Sequence, residues 1–506
     1  MGRRLDGMST PCSKVTPGAD TDGWLNFDVH SVRGGQPREQ TRHRFTVDDR
    51  RYSKLNNLTA GSLVFVVLAA PIPVASNRPL LWMLWAAAIG ILATIYLVRG
   101  LLIDPKRALR SRQHGVLFGL ASLVPAFALV QMLPIAAHLP DFLTSLPVTG
   151  ASAPASISLM PSGTAVGAVR MASYIIFFAL MLEVSGRRDR AAFVAWVLFA
   201  GVVAHALWAL VSLNMLGDQF FWGDKQFYRG SATGTFVNRN SFATFLAMGL
   251  VLGIALVVGR ADRRQRRAAA KPGLLSAETM EAVLLWLLVG LIVITLLATQ
   301  SRMGMIAGGI GAFVCLAIMI WKSGHKRIGT LIGVLIVGCA GFFALLMLFG
   351  RALIERLIFA GVDSLTRGEL YRQVVGMVGE RPLVGFGLDS FPVAFELFHQ
   401  LPLSSDSVWD YAHSTYLALW AELGIIIGSI PLVLGLLLGA RLIQVIRRRQ
   451  SDYPLAVAAL AALLVAAIHS LVDFSLEIQA NVFFLLALMA LGIARGRSVG
   501  PGAGKG

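Results

Sequence analysis

Apolar runs of about 17–22 residues recur from Leu58 almost to the C-terminus, and no other property of this chain narrows its fold as far. Each run is long enough to cross a hydrocarbon layer about 30 Å thick. Backbone inside lipid must satisfy its own hydrogen bonds, so these runs are helices. With 56% hydrophobic and only 14% charged residues, the chain is too apolar for a soluble domain of this length. The expectation is an all-α, polytopic membrane protein of about twelve spans. They are Leu58–Ala75, Leu80–Val98, Val116–Ala137, Ala165–Val184, Ala192–Leu213, Phe242–Val258, Ala282–Ala298, Met303–Trp321, Ile328–Phe349, Gly424–Leu442, Leu455–Val472 and Val482–Ala494.

A formal net charge of +17 invites a nucleic-acid reading, but the placement of the charge argues against one. Lys106, Arg107, Arg110 and Arg112 follow the second span. Arg187, Arg188 and Arg190 follow the fourth, Arg260 to Lys271 the sixth, Lys322, Lys326 and Arg327 the eighth, and Arg447 to Arg449 the tenth. Basic clusters in alternate loops are the positive-inside pattern, which predicts that this side is cytoplasmic and carries both termini. Residues 1–57 are polar, lack an apolar signal-peptide core and read as a disordered tail; residues 496–506 read likewise. The membrane domain is expected to fill 58–495. Cys12, Cys315 and Cys339 have no spacing that suggests a disulfide framework or a zinc site.

The opposite face should carry the loops at about 138–164, 214–241 and 350–423. The last is the longest. It holds a helical stretch, Leu365–Val378, and the turn-forming Arg381-Pro382-Leu383-Val384-Gly385-Phe386-Gly387. Arginines on a positive-poor face need a local reason. Arg229 and Arg239 lie in a Gly-, Thr- and Asn-rich segment leading into the sixth span, where a helix N-terminus and guanidinium groups both favour phosphate. The plainer reading is a capped loop with snorkelling arginines. Arg302 follows Thr299-Gln300-Ser301 in a very short turn, held close to the membrane, where a charge must be paired or wet. His413 closes the long loop. A neutral imidazole there can accept a proton, or it can simply hydrogen-bond within the loop. Asp410 and Glu422 flank it and can orient the ring or cap a helix.

Arg170 falls inside the fourth span, where it either contacts a ligand or pairs with a buried acid such as Asp473. Arg367 and Arg372 read first as a solvated helix face and second as substrate contacts, and His205 and His469 as packing or hydrogen-bonding residues. The chain has no phosphate-binding P-loop, no metal–nucleotide DxD pattern on an outer loop and no HExxH zinc motif. The expectation is therefore of no metal and no cofactor.

Taken in order, Arg229 through Phe242, Ser301-Arg302, Arg381 through Gly387, and Ala412-His413-Ser414-Thr415-Tyr416-Leu417 with Glu422-Leu423-Gly424 resemble the O-antigen ligase and polymerase superfamily. The chain departs from that pattern at Arg239, where proline is common, and at Ser414, where asparagine is common. The resemblance implies an inner-membrane glycosyltransferase working at the periplasmic face. Its donor would be a glycan on undecaprenyl diphosphate and its acceptor a lipid A–core sugar or another glycan. It implies His413 as general base, with Arg229, Arg302 and Arg239 on the diphosphate and Arg170, Arg367, Arg372 and Asp410 in support. Ligase, polymerase and protein glycosylase remain open by sequence. A flippase or transporter for a lipid-linked saccharide is the reading from another class, but no internal repeat supports it and the charges gather at one surface.

Overall fold

The computed structural model describes residues 47–106, 108–144, 146, 154–267, 276–323, 360–406 and 408–494. The main helices are α1 (Val47–Ala69), α2 (Pro79–Ile103), α3 (Gly115–Gln131), α4 (Pro161–Val184), α5 (Arg188–Met215), α6 (Arg239–Arg267) and α7 (Ala277–Ala298). They continue with α8 (Arg302–Ser323), α9 (Ala360–Glu380), α10 (Thr415–Gly428), α11 (Ile430–Arg448), α12 (Pro454–His469) and α13 (Gln479–Ile493). Among the described residues, eight helices are long and apolar enough to cross a membrane, and α10, α12 and α13 are apolar but shorter. Proline is the first residue of α2, α4 and α12, where its missing N–H costs nothing and its fixed φ suits a helix start.

Several expected boundaries move. The N-terminal tail was expected to run to residue 57, but α1 begins at Val47. Its polar first turns are held because Tyr52 and Asn56 are buried against Tyr96 of α2, whose hydroxyl donates to the Asn56 side-chain Oδ1 at 3.2 Å. The third span stops at Gln131, short of Ala137. The tenth begins at Ile430, because the segment before it is a separate, broken helix. The span expected at Ile328–Phe349, both tails, Cys12 and Cys339 lie outside the described residues. Cys315 is a buried free thiol against the Val251 carbonyl.

Helix α6 is the axis of the bundle. Its most apolar stretch is 94% buried, against 11% for α2, and it packs on α5, α7, α8 and α12. Between helices in lipid, attraction comes from close van der Waals fit, which small residues permit. A Cβ on Gly304 of α8 would stand 2.5 Å from the Ala243 methyl of α6, and one on Gly311 would stand 2.4 Å from Val465 of α12. The basic loop ends meet as the charge pattern demands: Arg188, opening α5, pairs with Asp452, before α12, at 3.0 Å.

The long loop is folded rather than open. Leu370, Val374, Met377 and Val378 line one face of α9 at helical spacing. They pack with Phe386, Phe391, Phe395, Leu403, Ala412, Ala418 and Ala421 into a small core of their own. Helix α10 breaks at Gly424, where φ is +73° and ψ 166°. The broken turn is stitched to residues 381–387: Phe386 N donates to Ala421 O (3.0 Å), Gly387 N to Glu422 O (2.9 Å) and Ile425 N to Pro382 O (2.7 Å). Gly424 is obligatory, because a Cβ there would stand 2.4 Å from the Leu383 carbonyl. Gln131, fully buried at the end of α3, clamps the junction. Its amide donates to Val384 O (2.7 Å) and Glu422 O (2.8 Å), and its oxygen accepts from Leu388 N (3.1 Å). Gln131→Leu keeps the volume but strands these buried groups, at a cost of about 2–4 kcal/mol. Its thermal midpoint in detergent should fall clearly below wild type; an unchanged midpoint would contradict the clamp.

Candidate active site

The loop-to-α6 segment, the turn before α8, the end of the long loop and the α12–α13 loop converge at one end of the bundle. Asn238 caps α6, its side-chain oxygen accepting from Asn240 N at 2.7 Å. Ser301 does the same for α8, accepting from Gly304 N at 3.3 Å. Each of these helices opens with an arginine, Arg239 and Arg302, and their first turns abut at Ala243 and Gly304. The segment carrying Arg239 is tied to the Arg302 turn: Ala232 N donates to Ala298 O (2.9 Å), and the Gln300 amide to Gly230 O (2.9 Å). Two positive helix ends and two guanidinium groups thus share one small region.

His413 is fixed by its neighbours rather than by its ring. Its backbone sits in the left-handed region (φ +51°), and its carbonyl accepts from the Tyr371 hydroxyl of α9 at 2.8 Å. The residues that follow are bolted to the end of α12. Thr415 N donates to Ser470 O (3.1 Å), the Thr415 hydroxyl to Asp473 O (3.2 Å), the Ser414 hydroxyl to Ser470 O (3.4 Å) and the Tyr416 hydroxyl to Ala467 O (2.8 Å). The imidazole lies edge-on to Phe474 at 5.2 Å, and its buried Nδ1 has no hydrogen-bond partner among the described residues. Burial pushes its pKa below the usual histidine value. Asp473 opposes that shift and Arg367 reinforces it. A neutral imidazole with an unsatisfied ring nitrogen is able to take a proton. Tyr228 and Gln300 also have positive φ, so strained backbone recurs in the segments that meet here.

Asp473 is the residue that sequence reasoning missed in this role. Fully buried, it accepts from the Asn240 amide at 3.3 Å and from the Ser475 hydroxyl, and it acts electrostatically on His413, Tyr228 and Tyr371. Its network continues through Ser475 to Thr244 (2.9 Å) and from Thr244 to His469. His205 is buried edge-on to Phe245 at 5.5 Å. The only sequence signal for Asp473 was an acid at the end of an apolar run.

The arginines divide. Arg239 is half-buried over the Tyr228 ring at 5.3 Å, with Nη1 3.4 Å from Ser231 Oγ. Arg302 is half-buried at the head of α8. Arg367 is half-buried and acts electrostatically on Tyr228, Tyr371 and His413. Arg229, by contrast, is exposed, and its Nε donates to the Lys225 carbonyl at 2.9 Å. Arg372 is exposed and forked onto Glu369 one turn away. Asp410 is exposed, and the Glu422 carboxylate accepts from Phe391 N; the acid that acts on His413 is Asp473. Arg381 is fully buried, donates to the Ile157 carbonyl at 3.1 Å and is lowered to about 10 by burial; it pins the long loop to the 154–160 segment.

Arg170 does not pair with Asp473, the acid its position in the fourth span suggested. Asp473 is engaged by Asn240 and Ser475, and Arg170 instead binds Asp389 at 2.5 Å and the Glu477 carbonyl at 3.3 Å, over the Trp82 ring at 4.2 Å. It therefore fastens α4 to both the 381–390 loop and the loop bearing Asp473. Removing one partner of a buried pair leaves a stranded charge, so Arg170→Met should destabilise by about 3–5 kcal/mol. Adding Asp389→Asn, which removes the stranded charge and tolerates the left-handed backbone at φ +57°, should restore most of the loss in thermal unfolding. A double variant no better than the single would show that the pair is not what Arg170 supplies.

Residues 283–433 match the family model described as O-antigen ligase. The match takes in Arg302, the 381–387 segment, His413 and Gly424, and supports the superfamily resemblance seen in the motifs. Among curated proteins none matches the chain.

Proposed function

With an O-antigen ligase domain as its premise, we propose that this membrane enzyme transfers a glycan from undecaprenyl diphosphate to a sugar hydroxyl of the lipid A–core or of another glycan, at the periplasmic face of the bacterial inner membrane. One observation carries the reading: two arginine-led helix N-termini abut, and the α6 end is joined through Asn240 to Asp473, which acts on the half-buried His413. The clustering of Arg188, Arg260, Arg264 and Arg447 at helix ends away from this site supports a cytoplasmic side opposite it, with both termini there.

In this mechanism the acceptor hydroxyl gives its proton to His413 as its oxygen bonds to the donor's C1. The bond from C1 to the diphosphate breaks on the opposite face, with inversion. The leaving diphosphate gains negative charge, which Arg239 and Arg302 meet with charge-assisted hydrogen bonds and the two helix ends with their dipoles. Asp473 stabilises the imidazolium while it exists. Burial, reinforced by Arg367, favours the neutral resting imidazole. The donor arrives activated, so the step itself consumes no nucleotide.

An in vitro transfer assay with lipid-linked donor tests the roles. His413→Ala should lower turnover about 10²–10⁴-fold at normal protein levels. Undiminished turnover would remove His413 as base. Arg302→Ala should weaken use of the diphosphate donor, and an unchanged donor dependence would count against the cradle. The pH profile follows from the direction of the His413 shift. The protonated ring cannot accept a proton, and its folded-state pKa lies below the ordinary value near 6.5. Activity should therefore be flat above that value and fall only below it. An acid limb centred above it would overturn the assignment.

A further inference from the structure

Between α5 and α6 the chain forms a small antiparallel hairpin in which Gln219 pairs with Asp224 and Phe220 with Gly223. Its aromatic side chains face outward: Phe221 is 56% exposed, Trp222 47% and Phe227 66%. They are organised. Phe221 stacks on Trp208 of α5 at 3.7 Å, and Phe220 on Trp222 at 5.2 Å. The base of the hairpin is rigid, because the buried Lys225 pairs with Asp218 and donates to Ser231 O at 2.8 Å, while Asp218 accepts from Gly230 N at 2.7 Å.

Two observations identify what covers this surface. First, the exposed apolar area is continuous with the outward face of α5, a spanning helix on which Leu207 and Met215 are also exposed, followed by the exposed Leu216. Second, the hairpin lies where α5 ends and α6 begins, the depth at which amphipathic aromatic rings favour the boundary between acyl chain and headgroup. Arg229 follows directly. Its Nη groups make no hydrogen bond among the described residues, as suits a side chain reaching for phosphate.

We propose that residues 217–227 are an interfacial anchor. Phe221, Trp222 and Phe227 sit in the bilayer surface on the side of the active site, with Arg229 at the level of the lipid phosphates. Resting on the glycosyl-transfer reading, the anchor brings the N-terminus of α6 down to the leaflet in which a lipid-linked donor diffuses.

The test is tryptophan quenching in the full-length protein, in nanodiscs of phosphatidylglycerol and phosphatidylcholine brominated on the upper acyl chain. The emission of wild type minus that of Trp222→Phe isolates Trp222. Brominated lipid should remove most of that emission relative to plain lipid. A new tryptophan, Phe227→Trp in the Trp222→Phe background, should be quenched likewise. Equal emission from Trp222 in the two lipids would place the hairpin in water and overturn the anchor, including in favour of a water-side glycan. The readout needs no turnover, so quenching without transfer activity would support the anchor while sinking the enzyme reading, and transfer without quenching would do the reverse.

Discussion

The architecture of the site depends on a break in a helix. At Gly424 the ladder of α10 stops, and the backbone groups around it are left without intrahelical partners in an apolar setting. Residues 381–387 supply those partners, and the Gln131 amide supplies what a single strand cannot. One junction therefore joins α3, the long loop and α10. Without it, the loop's small core would have no fixed relation to the bundle. His413 lies two to three turns before this junction, between Tyr371 on one side and the end of α12 on the other, so the break helps set where His413 stands.

Electrostatics explains why the same end of the bundle is costly and useful at once. Helix N-termini, arginines and a buried acid concentrate opposite charges where the surroundings screen them weakly. Lys225, Arg170 and Arg381 are buried and committed to carboxylates or carbonyls that hold loops together. Arg239, Arg302 and Arg367 are half-buried around the site.

Much of the fold was legible because its physics is local. Outside Ile328–Phe349, each expected span overlaps a helix, and eight of the described helices are long and apolar enough to cross a membrane. Boundaries were less legible where tertiary partners override composition. Tyr96 accounts for the helical residues 47–57, and residues 381–387 account for the division of the tenth span into α10 and α11. Within the site, His413, Arg302 and Arg239 stood out as polar residues at the mouths of spans. Asp473 did not, because its meaning comes from Asn240, more than two hundred positions earlier in the chain. Nor does sequence separate Arg367 from Arg372, which lie on one short helix. Glu369 engages Arg372, while Arg367 faces the site.

The miniature core of the long loop has a consequence for how such an enzyme would fail. Leu370, Phe386, Phe395 and Ala421 form a cluster separate from the main bundle core, and Ala412, next to His413, belongs to it. Regions with their own core open as cooperative units with their own free energy. The placement of His413 can thus be lost by melting a patch of surface structure while every spanning helix stays in place. A preparation that looks intact by helix content can therefore already be dead.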